Sequence, residues 1–126
     1  MEEISIRVPA QPAYVQVVRL VAAGLASRLR FTIDEIEDLK IGVDELCAYL
    51  TGAQGRQGEL LIRFAIDESR IEIIGIAELA PGQRVRTDLT EFSQMILATV
   101  ADSASLQQPD GQPTFKLIKT RGTPVP

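Results

Sequence analysis

The sequence predicts an α/β (α+β) two-layer sandwich, a mixed and mostly antiparallel sheet with its helices on one face. Three observations carry this expectation. Periodic segments follow one another in the order β-α-α-β-β-α-β-β. Two pairs of strand-like segments are joined by only "DES" and "PDG", which makes each pair a hairpin. Each helical segment carries an apolar stripe on one side, which it must bury against another layer. The 126 residues suit a single domain over 1–126 with one core.

The elements justify themselves in turn. "EISIRV" alternates apolar with polar or charged residues, as a half-buried strand does. "PAQPAYVQVVRLVAAGLASRL" places Tyr14, Val17, Val18, Val21, Leu25 and Leu29 at helical spacing, with Pro12 in the first turn and an end near Arg30. "TIDE" is a capping box: Thr32 caps the next helix and Glu35 bonds back. Asp34, Glu37 and Asp38 add the negative charge that a helix start favours. That helix runs to about Thr51, with Ile36, Leu39, Val43, Leu46, Cys47 and Leu50 towards the core, and stops in the glycine-rich "TGAQGRQG".

"ELLIRFAI" and "RIEIIGIA" make the first hairpin, and "APGQRVRT" a loop. "DLTEFSQMILATVA" is a third helix, with Leu89, Phe92, Ile96 and Val100 on one face together with Met95. "SASLQQ" and "TFKLIKT" close the sheet as a second hairpin, and the tail from about 121 to 126, "RGTPVP", is expected to be loose.

Composition narrows the chemistry. The net charge is −4, and no basic cluster offers the cationic face that direct nucleic-acid binding requires. No run approaches the roughly 18 apolar residues of a membrane span, and "MEEISIRVP" lacks the pattern of a signal peptide, so the expected location is cytoplasmic, with no membrane partner. There is no histidine, and the one cysteine lies on an apolar helix face, where it reads as a small hydrophobe. Serine-hydrolase, cysteine-protease and zinc chemistry fall away, and no metal site is expected.

One constellation remains. On the second helix Asp38, Gly42, Glu45, Tyr49 and Gly52 share a stripe opposite much of the core pattern. Glu45 could activate a nucleophile or orient a water; equally, it could be a solvated or partner-facing acid. "GAQGRQG" could hold an anion through Arg56, but it lacks the strand-before, helix-after setting of a phosphate loop and reads as a flexible connector.

"VPAQPAYV", "RLVAAGLASRL" and "FTIDEIEDLKIGVDELC" resemble the anti-sigma factor and serine protein kinase family of the RsbW type, whose fold is the histidine-kinase-like (GHKL) ATPase. The resemblance is close from about Ile4 to Cys47 and continues by pattern to about Thr120. It implies that Glu45 matches the family's catalytic base for phosphoryl transfer. The family's magnesium-binding asparagine, four residues on, is here Tyr49, and a phenol is a poor ligand for that ion. In the family's Asp-x-Gly adenine motif, the matched positions are Ala77 and Leu79, so the acceptor for the adenine amine is missing and the base is crowded. The second glycine box is replaced by "VRTDLTEFSQM", without a glycine. Together the losses amount to about 4–8 kcal/mol, on the order of 10³ to 10⁶ in affinity.

The resemblance therefore implies a binding regulator that sequesters a sigma factor, is countered by a STAS-type anti-anti-sigma factor, forms a homodimer, and needs no cofactor. Glu45 would be vestigial. The alternatives are an active Mg-ATP-dependent serine kinase acting on that antagonist, and a sensor or adaptor of the same fold with another ligand or partner. Arg19 aligns with a family arginine that contacts protein partners; a surface arginine with its stem packed along the helix is the other reading.

Overall fold

The computed structural model describes residues 1–122. Its elements are β1 (Glu2–Pro9), α1 (Pro12–Arg28), α2 (Ile33–Thr51), β2 (Gly58–Ile66), β3 (Arg70–Leu79), α3 (Glu91–Val100), β4 (Ser103–Gln107) and β5 (Thr114–Thr120), with a 3₁₀ turn at Pro109–Gly111 before β5. The strands form one sheet in the order β1-β2-β3-β5-β4. All four pairings are antiparallel, so among the described residues the sheet lacks the expected parallel component. The arrangement is the two-layer, GHKL-like sandwich that the sequence predicts.

Strand alternation explains the layering. Ile71, Ile73 and Ala77 of β3 are buried, whereas Glu72, Ile74 and Ile76 on the opposite side are half-buried. The buried side meets Leu39, Val43, Leu46 and Leu50 of α2 and Val18 and Ala22 of α1 in one core. Gly75 sits opposite Phe115 in the β3–β5 register, and the fully buried Phe115 ring lies where a side chain at Gly75 would project.

The capping box at α2 is formed as the sequence requires. Thr32 Oγ1 accepts from Glu35 N–H at 3.1 Å, and Glu35 Oε1 accepts from Thr32 N–H at 2.7 Å. Gly122 N–H donates to the other Glu35 oxygen at 2.6 Å, and Arg121 Nη1 donates to Leu29 O at 2.9 Å. The first two residues of the expected loose tail are thus tied to the helix layer; residues 123–126 lie outside the described residues.

Two apolar stripes turn out differently from the sequence reading. In α1 the buried face is Val15, Val18, Ala22 and Ala26, while Tyr14 and Val17 are exposed. Ala22 and Ala26 on the inner face let α1 lie close against α2, while Val21, Leu25 and Leu29 of the expected stripe pack, partly buried, against the core. In α3 the buried residues are Ser93, Leu97 and Val100, whereas Phe92 and Met95 are 67% and 62% exposed. Ser93 takes one of the inner positions, beside Leu97 and Val100, because it has polar partners there.

Candidate functional site

The stripe Asp38, Gly42, Glu45, Tyr49 does not point away from the packed interior; it faces α3 and β5. A Cβ on Gly42 would come within 3.0 Å of Leu117 Cδ2 and 3.6 Å of Val100 Cγ2, so glycine is what lets α2 approach this closely. Asp38 forms an ion pair with Lys119 of β5 at 3.5 Å. Glu45 and Tyr49 then meet the start of α3.

There the side chains form a closed network. Ser93 Oγ donates to Glu45 Oε1 at 2.7 Å. It accepts from Tyr49 Oη at 2.8 Å and from Thr90 Oγ1 at 3.0 Å. The Tyr49 oxygen accepts in turn from Thr90 N–H at 3.1 Å, and Thr90 Oγ1 accepts from Ser93 N–H at 3.1 Å as the α3 N-cap. Each hydroxyl proton has one acceptor, and a satisfied network of this kind rigidifies what it joins. Burial alone pushes the Tyr49 phenol up, but its hydrogen bonds with Ser93 and Thr90 outweigh that, and the net direction is downward.

Ala77 and Leu79, the positions matched to the adenine motif, lie inside β3, two and four residues beyond Gly75. Ala77 is 2% exposed, pairs with Leu60 of β2, and donates its N–H to Pro113 O at 2.9 Å. Leu79 is half-buried against the core. The nearby end of the sheet carries an open depression of about 950 Å³ bounded by residues 76–83 and 108–114.

"GAQGRQG" is tied in place, contrary to its reading as a flexible connector. Arg56 donates from Nε to Leu50 O at 2.9 Å and from Nη1 to Arg84 O at 2.6 Å, and its own N–H donates to Ala10 O at 2.8 Å. Its guanidinium therefore stitches the end of α2 to the loop before α3. Gly58, at φ 130°, passes so close to the backbone of Glu78 and Leu79 that no side chain fits. Gln108 holds the loop from its other side, donating to Val85 O at 2.9 Å.

Arg19 donates from Nε to Asp44 Oδ1 at 2.8 Å and also bonds Gln16. It borders a groove of about 430 Å³ between α1 and the end of α2, walled by Pro12, Val15, Ala48 and Thr51. The structure thus brings Glu45 and Tyr49 together, leaves Arg19 on another surface, and sets Ala77 and Leu79 in the sheet. Cys47 is fully buried, and burial pushes its thiol up to about 12. No group of three or more His, Cys, Asp or Glu among the described residues could hold a metal ion. No helix among them is long and apolar enough to cross a membrane.

Sequence reasoning missed Ser93, Thr90 and the structural part of Arg56. The "TEFS" pattern at 90–93 is a readable N-cap signal. Nothing local announces that Ser93 meets Glu45 and Tyr49 from 48 and 44 residues away.

Comparison with known proteins finds relatives of the same type. The chain is 47% identical over 74 residues to the serine-protein kinase RsbW of Bacillus subtilis, a match covering 56% of this chain and 46% of that protein. It is 43% identical over 76 residues to the Bacillus pumilus RsbW, with 56% and 47% covered. For the Bacillus velezensis RsbW the identity is 42% over 77 residues, with 59% and 48% covered. The chain spans about half the length of these curated relatives. No family model matches it. The resemblance to serine-protein kinases of the RsbW type is shown over rather more than half of the chain.

Proposed function

We propose that this chain is an anti-sigma regulatory factor: a cytoplasmic, histidine-kinase-like domain that sequesters an RNA polymerase sigma factor by protein contact. A STAS-type antagonist releases the sigma factor by competing for the same surface. Similarity to the RsbW serine-protein kinases supports the family role. The observation that carries the finer reading is the Glu45–Ser93–Tyr49–Thr90 network, which occupies the side chains a kinase would need free.

Mg-ATP does not fit these residues. The matched magnesium position presents a phenol engaged with Ser93 and Thr90, and a phenol is a weak partner for a hard cation. At Ala77 there is no side-chain acceptor, and at Leu79 an apolar side chain replaces open space for a base. In this reading Glu45 is vestigial as a base and structural as an acceptor. Arg19 supplies the partner contact: its Asp44 pair leaves the side chain 31% exposed beside the α1–α2 groove. A homodimer would use the outer side of α1, where Leu20 is 59% exposed beside Tyr14 and Val17.

The test is capture with the purified chain from its own cell extract. Retention of a sigma factor, identified by mass spectrometry and displaced by a STAS protein, is the expected result. Retention of neither overturns the proposal. An active kinase is the second reading, favoured by the presence of Glu45 and by the name of the relatives. Transfer of the γ-phosphate to the STAS antagonist, abolished by Glu45→Ala, would establish it.

A further inference from the structure

We propose that the outer face of α3, together with Ile41 of α2, is a docking groove for an amphipathic helix of another protein, one that carries Lys or Arg beside its apolar ridge. The observation is a second apolar stripe on a helix that has already met its core. Leu97 and Val100 face inwards, yet Phe92, Met95 and Ile96 form an i, i+3, i+4 set on the other side. Phe92 is 67% exposed, Met95 62% and Ile41 45%. With Ile96, Thr99 and Val100 they wall an almost wholly apolar depression of about 310 Å³. Phenylalanine and methionine are residues that interfaces favour, and methionine adapts to the shape of what it meets.

Charge selects the occupant. Glu37, Asp38 and Glu45 lie one helical turn from Ile41, and Glu91 lies one turn before Met95. These four carboxylates stand against two cations that pair with them, Lys40 and Lys119, an excess of two negative charges. A second copy of the chain would bring the same excess and a net −4 of its own to the contact, so like charges oppose self-association here. An anionic membrane surface is disfavoured for the same reason. A helix with an apolar ridge and basic flanks satisfies both the groove and its rim. This surface is separate from Arg19's groove, and the inference does not rest on the sigma-factor reading.

Fluorescence anisotropy with the full chain tests it, using a labelled leucine–lysine amphipathic peptide of about 18 residues, long enough to hold a helix. A leucine–glutamate peptide of the same pattern is the comparison. The basic peptide is expected to bind at least about tenfold more tightly than the acidic one, and to lose about tenfold in a Phe92→Ser/Met95→Ser double variant. Both positions are exposed, so the variant keeps its fold, which an unchanged Tm checks. An Ile33→Ser variant at the start of α2, where the side chain is 79% exposed, should bind as the parent does. Equal binding of the two peptides overturns the proposal, as does full binding by the α3 variant. A concentration-dependent dimer in sedimentation that this variant abolishes would assign the face to a second copy, and also overturns it.

Discussion

Tyr49 Oη donates to Ser93 Oγ at 2.8 Å, and through that bond the end of α2 holds the start of α3. Ser93 in turn donates a hydrogen bond to Glu45, so a phenol, a hydroxyl and a carboxylate form one chain of donors and acceptors. In this protein the Glu45 carboxylate takes part in joining two helices.

Ser93→Ala leaves both Tyr49 and Glu45 without their partner. It should cost about 1–3 kcal/mol, the range for a polar group left unsatisfied. Tyr49→Phe should cost about 1 kcal/mol, since Ser93 keeps Glu45 and Thr90. The double variant should cost less than the sum, by at least about 0.5 kcal/mol, because both changes remove the same bond. Urea unfolding of the four proteins measures the coupling; strict additivity would mean that the network is not a unit.

Much of this site was legible at the level of residue type and illegible at the level of contact. Glu45, Tyr49, Ala77 and Leu79 stand out because each can be read alone against a motif. Ser93 does not, because its meaning comes from the crossing of α3 over α2. The same limit governs the stripes. The capping box and the α2 core positions follow from one helix's own period, and the structure has them as read, with Ile36 half-buried. The buried face of α3 depends on what the neighbouring helix offers: a waiting phenol and carboxylate turn Ser93 inwards and Phe92 outwards. For α1, spacing alone gave Tyr14 and Val17 to the core, whereas close packing against α2 favours the small residues Ala22 and Ala26.

Gly75→Ala should destabilise the protein by about 1–3 kcal/mol, as overpacking of a tight core does. The added methyl would overlap the Phe115 ring, which is fully buried and cannot swing into solvent. Thermal unfolding checks this. Combining it with Phe115→Leu should recover part of the loss if the clash is the cause.

Cys47 should be silent to thiol reagents in the native state and reactive on unfolding, because it is fully buried. Its thiol is raised from 9.0 to about 12, chiefly by burial, with Asp44 adding to the shift and Arg19 opposing it. A raised value means that the folded state holds the proton more tightly. The stabilising contribution is therefore complete below pH 9 and is lost as the pH rises towards 12. Stability of the parent should fall above pH 9 more steeply than that of Cys47→Ala, by roughly 1 kcal/mol per pH unit. Parallel curves would contradict the assignment.

Arg19→Ala should leave stability almost unchanged, by less than about 1 kcal/mol, since a half-exposed ion pair contributes little. Affinity for the protein partner should fall at least about tenfold, as expected of an arginine anchor. Surface plasmon resonance against the captured partner, with unfolding measured in parallel, separates the two effects. A stability loss without an affinity loss would make Arg19 a helix-packing residue only.

Isothermal titration of the purified protein with Mg-ATP, with ADP alongside, bears most directly on whether this fold still uses a nucleotide. With Tyr49 bound to Ser93 and Thr90, and with Ala77 and Leu79 in the sheet, no saturable heat is expected at nucleotide concentrations of about 1 mM, where binding energy is only about 4 kcal/mol. Saturable binding in the micromolar range would mean that the network opens to admit the ligand, and would put the kinase reading first.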